Sequence, residues 1–159
     1  MKSVQNILLI LASLSFVTIM GAAIYECLST TPRWSAAPPL SLTMFQGKYA
    51  LNSGLFWAII HPVTLVFLVA ALIANWKNSR RRQILYVLST YIVILIITTI
   101  YFVPELIHII SSPYQEYIDK GLQSRAALWE KLSFTRLCLV VVLSAVLLSS
   151  LTKPAVELR

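Results

Sequence analysis

The sequence predicts an all-α integral membrane protein, a four-helix bundle with a cap on its outer side. Of the 159 residues, 58% are hydrophobic and only 12% are charged, whereas a soluble domain has about a quarter of its residues charged. Four apolar runs reach the length of about 20 residues that a membrane-spanning helix needs. Little sequence lies outside them, so we expect residues 1–159 to form a single transmembrane domain. The predicted helices cover about residues 5–28, 54–76, 82–111 and 126–152.

The first apolar run, from Ile7 to Tyr25, also resembles a secretory signal peptide, and Met20-Gly21-Ala22-Ala23 has the small residues of a cleavage site. We favour a retained helix, because the run is longer than a signal core of about 7 to 15 residues. Glu26 then lies at the far end of helix 1. The segment from Ser29 to Gly54 is interrupted by proline and glycine, which predicts the loop between helices 1 and 2 that caps the bundle.

The second run, from Leu55 to Ala74, contains one strongly polar residue, His61. Pro62 follows it and has no N–H to donate to the carbonyl of Ala58. Inside lipid that carbonyl needs a neighbouring group or a water molecule. We therefore expect helix 2 to be packed against other helices on this face.

A basic loop fixes the predicted topology. The segment from Asn75 to Gln83 has no acidic residue and contains Lys77, Arg80, Arg81 and Arg82. Such a loop is typically cytoplasmic, which places both termini, with Lys2, Lys153 and Arg159, on the cytoplasmic side of what we expect to be a bacterial inner membrane. Topology thus explains the net charge of +7 and gives no reason to expect a nucleic-acid partner. The expected partners are the lipid bilayer and a lipophilic small molecule.

The third run ends in an acid and an imidazole. Ile84 to Val103 has full spanning length, so Pro104, Glu105 and His108 come at its outer end. Residues three apart share one face of a helix, and a Glu-x-x-His pair is a known way to present two metal ligands from a bundle helix. The charged residues of the next segment, including Arg125, are expected to be solvated.

The purely apolar part of the fourth run, Leu137 to Leu151, is too short to span without help. The helix must reach back past Arg136, with Trp129 and Glu130 near the membrane boundary. An arginine inside a spanning helix has to pair and is a functional candidate by default. With the helices alternating in direction, the predicted outer third of the bundle contains Glu26, His61, Glu105, His108, Glu130 and Arg136.

One hypothesis for this layer is a metal centre, since carboxylate and imidazole ligands suit iron, manganese or zinc. The expected ligands are Glu26, His61, Glu105 and His108. The residues expected to support the ligands or contact the substrate are Asn52, Trp57, Trp129, Glu130 and Arg136. A dinuclear centre of the ferritin type would need two Glu-x-x-His pairs, and the chain has one, so a mononuclear centre is easier to build.

Other hypotheses need no transition metal. In a cofactor-free pocket, Glu105 or His61 acts as a general base and Arg136 stabilises developing negative charge. Alternatively the polar groups satisfy one another in a structural network, or His61 and His108 ligate haem b. A non-enzymatic protein that binds a lipid or quinone, or an accessory membrane subunit, is also consistent with the sequence.

The layout resembles the anthrone oxygenase-like family, small four-helix membrane proteins of about this length. The residues that carry the resemblance are Glu26, Asn52, His61-Pro62, Phe102-Val103-Pro104, Trp129 and Arg136. The resemblance implies an oxidoreductase that oxidises a phenolic or quinol-like ring with dioxygen, in the fungal members without a dedicated cofactor. The family commonly has an amide after the third-helix proline, where this chain has Glu105. An acid there, together with His108, favours a metal in this protein.

Overall fold

Four long helices make up the part of the chain that the structure describes, as the sequence predicts. The structure is a computed structural model that describes residues 2–153; Arg159, expected on the cytoplasmic side, lies outside them. All four helices are long and apolar enough to cross a membrane, so the chain is an integral membrane protein. Their bounds are Ser3–Ser35 (α1), Ser53–Ala74 (α2), Arg81–Ile110 (α3) and Lys120–Thr152 (α4).

Two helices contain a short π-helical segment. In α1 the α-helix Lys2–Tyr25 continues through the π segment Glu26–Thr30 into a last α-helical turn, Thr31–Ser35. In α3 the π segment Thr98–Phe102 precedes the final α-helical part. Because a π-helix closes its hydrogen bonds over five residues, each segment turns the residues beyond it relative to an uninterrupted α-helix.

Helices α1 and α4 are longer than predicted. The predicted end of helix 1 near residue 28 is wrong, because Pro32 falls in the first turn of the last α-helical part, where its missing N–H breaks no bond. The predicted start of helix 4 near residue 126 is also wrong. The Asp119 carboxylate caps that helix earlier, since Oδ1 accepts from the backbone N–H groups of Gly121 at 2.8 Å and Leu122 at 3.1 Å.

Each helix packs against two neighbours in the ring α1–α2–α3–α4. Two separate clusters of buried apolar residues fill the bundle. The basal core, at the end near the α2–α3 loop, draws on all four helices and includes Leu9, Phe16, Leu68, Leu88, Ile94 and Leu143. The cap core, at the opposite end, consists of Trp34, Leu42, Phe102, Ile109, Leu122, Ala126 and Trp129.

The loop between α1 and α2 covers the end of the bundle that holds the cap core, which we call the loop end. Its 3-10 helix, Leu40–Phe45, inserts the fully buried Leu42 between the helices. The Phe45 ring meets the Trp34 ring edge to face at 6.2 Å. The backbone N–H of Asp119 donates to the Pro38 carbonyl at 3.1 Å, which joins the cap to the start of α4.

A polar network closes the opposite, basal end. Arg80 is 5% exposed; its Nη1 donates to Asn6 Oδ1 at 2.6 Å and its Nε to the Lys153 carbonyl at 2.8 Å. The buried Asn75 donates to the carbonyl of Ala71 at 2.9 Å. Arg80 therefore ties the α2–α3 loop to the beginning of α1 and the end of α4.

Arg80→Ala should destabilise the protein, because it leaves the Asn6 amide oxygen and the Lys153 carbonyl without their donor. We expect a loss of about 1–3 kcal/mol of unfolding free energy, seen as a lower melting temperature of the detergent-purified protein. Arg82→Ala is the matched control, since Arg82 is exposed in the same loop and should change stability by less than about 0.5 kcal/mol. Equal melting temperatures for the two variants would contradict a structural role for Arg80.

Candidate functional site

A layer of polar side chains lies between the basal core and the cap core. All four helices contribute to it. The polar layer consists of Glu26 from α1, Trp57 and His61 from α2, Tyr91 and Thr98 from α3, and Arg136 from α4. Both π segments begin in this layer, one at Glu26 and the other at Thr98. Segments of this kind are frequent at functional sites.

His61 is held by two aromatic neighbours. Its Nδ1 lies 2.6 Å from the hydroxyl oxygen of Tyr91, and its ring stacks on Trp57 with 5.2 Å between centroids. Tyr91 is 1% exposed, and its ring packs edge to face on the Phe16 ring with 5.0 Å between centroids, which fixes the position of the phenol. The imidazole is only half-buried. Its orientation is thus fixed while one side stays open.

The Tyr91 contact determines which nitrogen of His61 faces the layer as a donor. The enclosed Tyr91 hydroxyl must donate its proton, and Nδ1 is its one partner among the described residues. We therefore assign Tyr91 O–H as the donor and Nδ1 as the acceptor, which puts the proton of neutral His61 on Nε2. In this arrangement His61 offers an N–H to a ligand and does not act as the base.

Glu26 is the acceptor of the layer. Its Oε1 accepts from the indole N–H of Trp57 at 3.0 Å. Within residues 2–153 its Oε2 has no hydrogen-bond or ion-pair partner. Trp57 also stacks on His61, so the carboxylate lies at the N–H edge of the indole ring and the imidazole on its face.

Arg136 is held by the second π segment. Its Nη1 donates to Thr98 Oγ1 at 3.2 Å, and its guanidinium lies 4.1 Å from the centroid of the Phe102 ring. Thr98 follows Tyr91 by two turns of α3, so its bond to Arg136 connects the guanidinium to the helix whose Tyr91 holds His61. The one direct ion pair within the described part of the chain joins other residues, so Arg136 touches no carboxylate there.

Glu105 and His108 belong to a different cluster, at the loop end. Arg125 of α4 donates two hydrogen bonds to Glu105, one from Nε to Oε1 at 2.7 Å and one from Nη2 to Oε2 at 2.6 Å. Its Nη1 lies 2.9 Å from His108 Nε2. The expectation that Arg125 is merely solvated is wrong. The antiparallel neighbours α3 and α4 bring it opposite Glu105, and only knowledge of that pairing would have identified it.

The remaining predicted site residues serve other contacts. Trp129 is 5% exposed, donates its indole N–H to the Phe102 carbonyl at 3.0 Å and packs on Trp34. Glu130 accepts from the hydroxyl of Ser35 at 2.6 Å, at the junction of α1 and α4. Asn52 is exposed, directly before α2. Tyr91 and Thr98 were not predicted, although both are polar residues within the apolar run of helix 3.

The predicted set of four metal ligands is divided between these two places. Glu26 and His61 lie in the polar layer, whereas Glu105 and His108 lie with Arg125. Residues 2–153 contain no group of three or more His, Cys, Asp or Glu side chains that could hold a metal ion. A metal centre thus stays a prediction from the sequence, with a donor set that this arrangement does not assemble.

No family model, curated protein or solved structure matches the chain. The resemblance to the anthrone oxygenase-like family stays a prediction from the motifs quoted above. Any functional conclusion therefore depends on the polar layer itself.

The division of the four donors predicts the metal content of the purified protein. We expect elemental analysis to find iron, manganese and zinc well below one atom per chain after detergent purification without chelators. His61→Ala and Glu105→Ala should leave that content unchanged, because these two residues lie in separate clusters within the described part of the chain. A stoichiometric metal that both variants remove would show that the two clusters meet in the working protein.

Proposed function

We propose that this protein is a membrane oxidoreductase that takes a lipophilic quinol from the bilayer and oxidises it with dioxygen, without a metal. The observation that carries this proposal is that the polar layer contains both a hydrogen-bond acceptor and hydrogen-bond donors without partners within residues 2–153. Glu26 has a free carboxylate oxygen, while His61 and Arg136 have free N–H groups. A hydroxylated ring needs both kinds of group, one to accept its proton and the other to stabilise the oxygen left behind.

In the proposed reaction, Glu26 Oε2 accepts the proton of a ring hydroxyl. The His61 Nε2–H donates to the resulting oxyanion, and Tyr91 holds the imidazole in the tautomer that can do so. The electron-rich ring then passes two electrons to dioxygen. In total, both O–H bonds of a quinol break and two O–H bonds form on dioxygen, which gives a quinone and hydrogen peroxide. Glu26 passes the first proton to the reduced oxygen, and the second ring hydroxyl gives its proton to the same peroxide.

The surroundings of the layer suit such a substrate. The basal and cap cores above and below it are apolar, and the side chains of Glu26, Trp57, His61 and Arg136 are half-buried. Desolvation between apolar cores strengthens the hydrogen bonds to a developing oxyanion. A protein that only binds a quinone would use the same donors on a carbonyl oxygen; it differs from the enzyme in consuming no oxygen.

Glu26→Gln should lower the rate of quinol-dependent oxygen consumption by about 100-fold to 10,000-fold, because glutamine keeps the bond from Trp57 but cannot accept the proton. Oxygen-electrode measurements on protein in lipid nanodiscs, with a hydrophobic quinol as substrate, test this. Glu116→Gln is the matched control and should keep the wild-type rate, since Glu116 is exposed in the α3–α4 connection. A wild type that binds the quinol but consumes no oxygen would leave only the binding function.

We also propose that both termini lie in the cytoplasm of a bacterial cell, so that the polar layer is nearer the outer face. The basic α2–α3 loop supports this orientation. Green fluorescent protein fused after residue 159 should fluoresce, and alkaline phosphatase fused there should be inactive. Alkaline phosphatase fused after Glu116 should be active. The reverse pattern would place the basic loop outside.

A further inference from the structure

Arg136 has more hydrogen-bonding capacity than the protein uses. Thr98 engages Nη1, and the Phe102 ring covers one face of the guanidinium. Within residues 2–153, Nε and Nη2 have no partner. An arginine in a membrane-spanning helix is costly unless its N–H groups are met. The free Nε–Nη2 edge is therefore the part of the layer that most needs a ligand.

A second group without a partner lies beside it. Ser133 comes three residues before Arg136, so the two side chains are neighbours on α4. Ser133 is 2% exposed, and its hydroxyl makes no hydrogen bond within the described part of the chain. A buried serine hydroxyl in a helix usually donates to a backbone carbonyl of the preceding turn, as Ser144 donates to the carbonyl of Val140. An unused hydroxyl beside an unused guanidinium edge indicates a small polar site.

We infer that the substrate carries a carboxylate group that binds the Nε–Nη2 edge of Arg136 and accepts from Ser133. This inference rests on the proposed function, in which the same molecule presents its ring hydroxyl to Glu26 and His61. The forked edge of a guanidinium matches the two oxygens of a carboxylate. The polar layer has one guanidinium, that of Arg136, and already contains the carboxylate of Glu26, so it favours a ligand with a single negative charge over a dianionic phosphate. The substrate class is thus a lipophilic quinol that carries a carboxylate.

The test uses full-length protein in nanodiscs of zwitterionic lipid, with 6-hydroxy-2-naphthoate and its methyl ester as probes. These probes differ in the charge of one group. Wild type should bind the acid about tenfold or more tightly than the ester, as measured by the quenching of tryptophan fluorescence. Arg136→Gln should bind both equally. Ser133→Ala should weaken binding of the acid by about threefold to tenfold and leave the ester unchanged.

Arg33→Gln is the matched control, because Arg33 is exposed on α1 and should leave the preference intact. If Arg136→Gln does not fold, Thr98→Val replaces it, since freeing Nη1 should reduce the preference. Equal affinity of wild type for acid and ester overturns the inference, even if oxygen consumption with quinols persists. A preference for the acid that Arg136→Gln abolishes or Thr98→Val reduces supports it, even if no oxygen is consumed and the proposed oxidation fails.

Discussion

Polar groups between membrane-spanning helices must satisfy one another, and this constraint shapes the whole bundle. The basal core and the cap core are both apolar, so every donor and acceptor between them depends on a small set of neighbours. The Tyr91 hydroxyl is hydrogen-bonded to His61, and the Trp57 indole N–H is hydrogen-bonded to Glu26. These two bonds link α1, α2 and α3 at one level. The interactions that hold the helices in register are therefore the same ones that orient the candidate site.

The sequence predicts the four helices, the cap, and the depth of Glu26, His61 and Arg136, because these follow from hydrophobic length and the distribution of charge. It does not predict which polar residues meet. In an uninterrupted α-helix, Tyr91, Thr98 and Glu105 would share one face, since they are seven residues apart. The π segment Thr98–Phe102 breaks this repeat and turns the later residues by about 100°.

The same segment explains the presence of two clusters. Beyond it, Glu105 and His108 turn toward Arg125 on α4, whereas Tyr91 before it points to His61 on α2. Nothing in the hydrophobic pattern marks a π segment, because apolar residues continue through it. The sequence therefore made six residues look like one site. The structure divides them into the polar layer (Glu26, His61, Arg136), the Arg125 cluster (Glu105, His108) and the Ser35 contact of Glu130.

Three arginines, Arg80, Arg125 and Arg136, bond to other parts of the bundle, and they differ in how fully their N–H groups are paired. This difference distinguishes an arginine with a structural role from one that needs a ligand. Arg80 has a side-chain and a backbone acceptor, and Arg125 has both oxygens of Glu105. Arg136 has one hydroxyl and one aromatic face, although it lies at the middle of α4. Folding alone would favour an apolar residue there, since a partly satisfied charge destabilises a membrane helix. An arginine kept in that position is best explained by a negatively charged ligand that completes its hydrogen bonds.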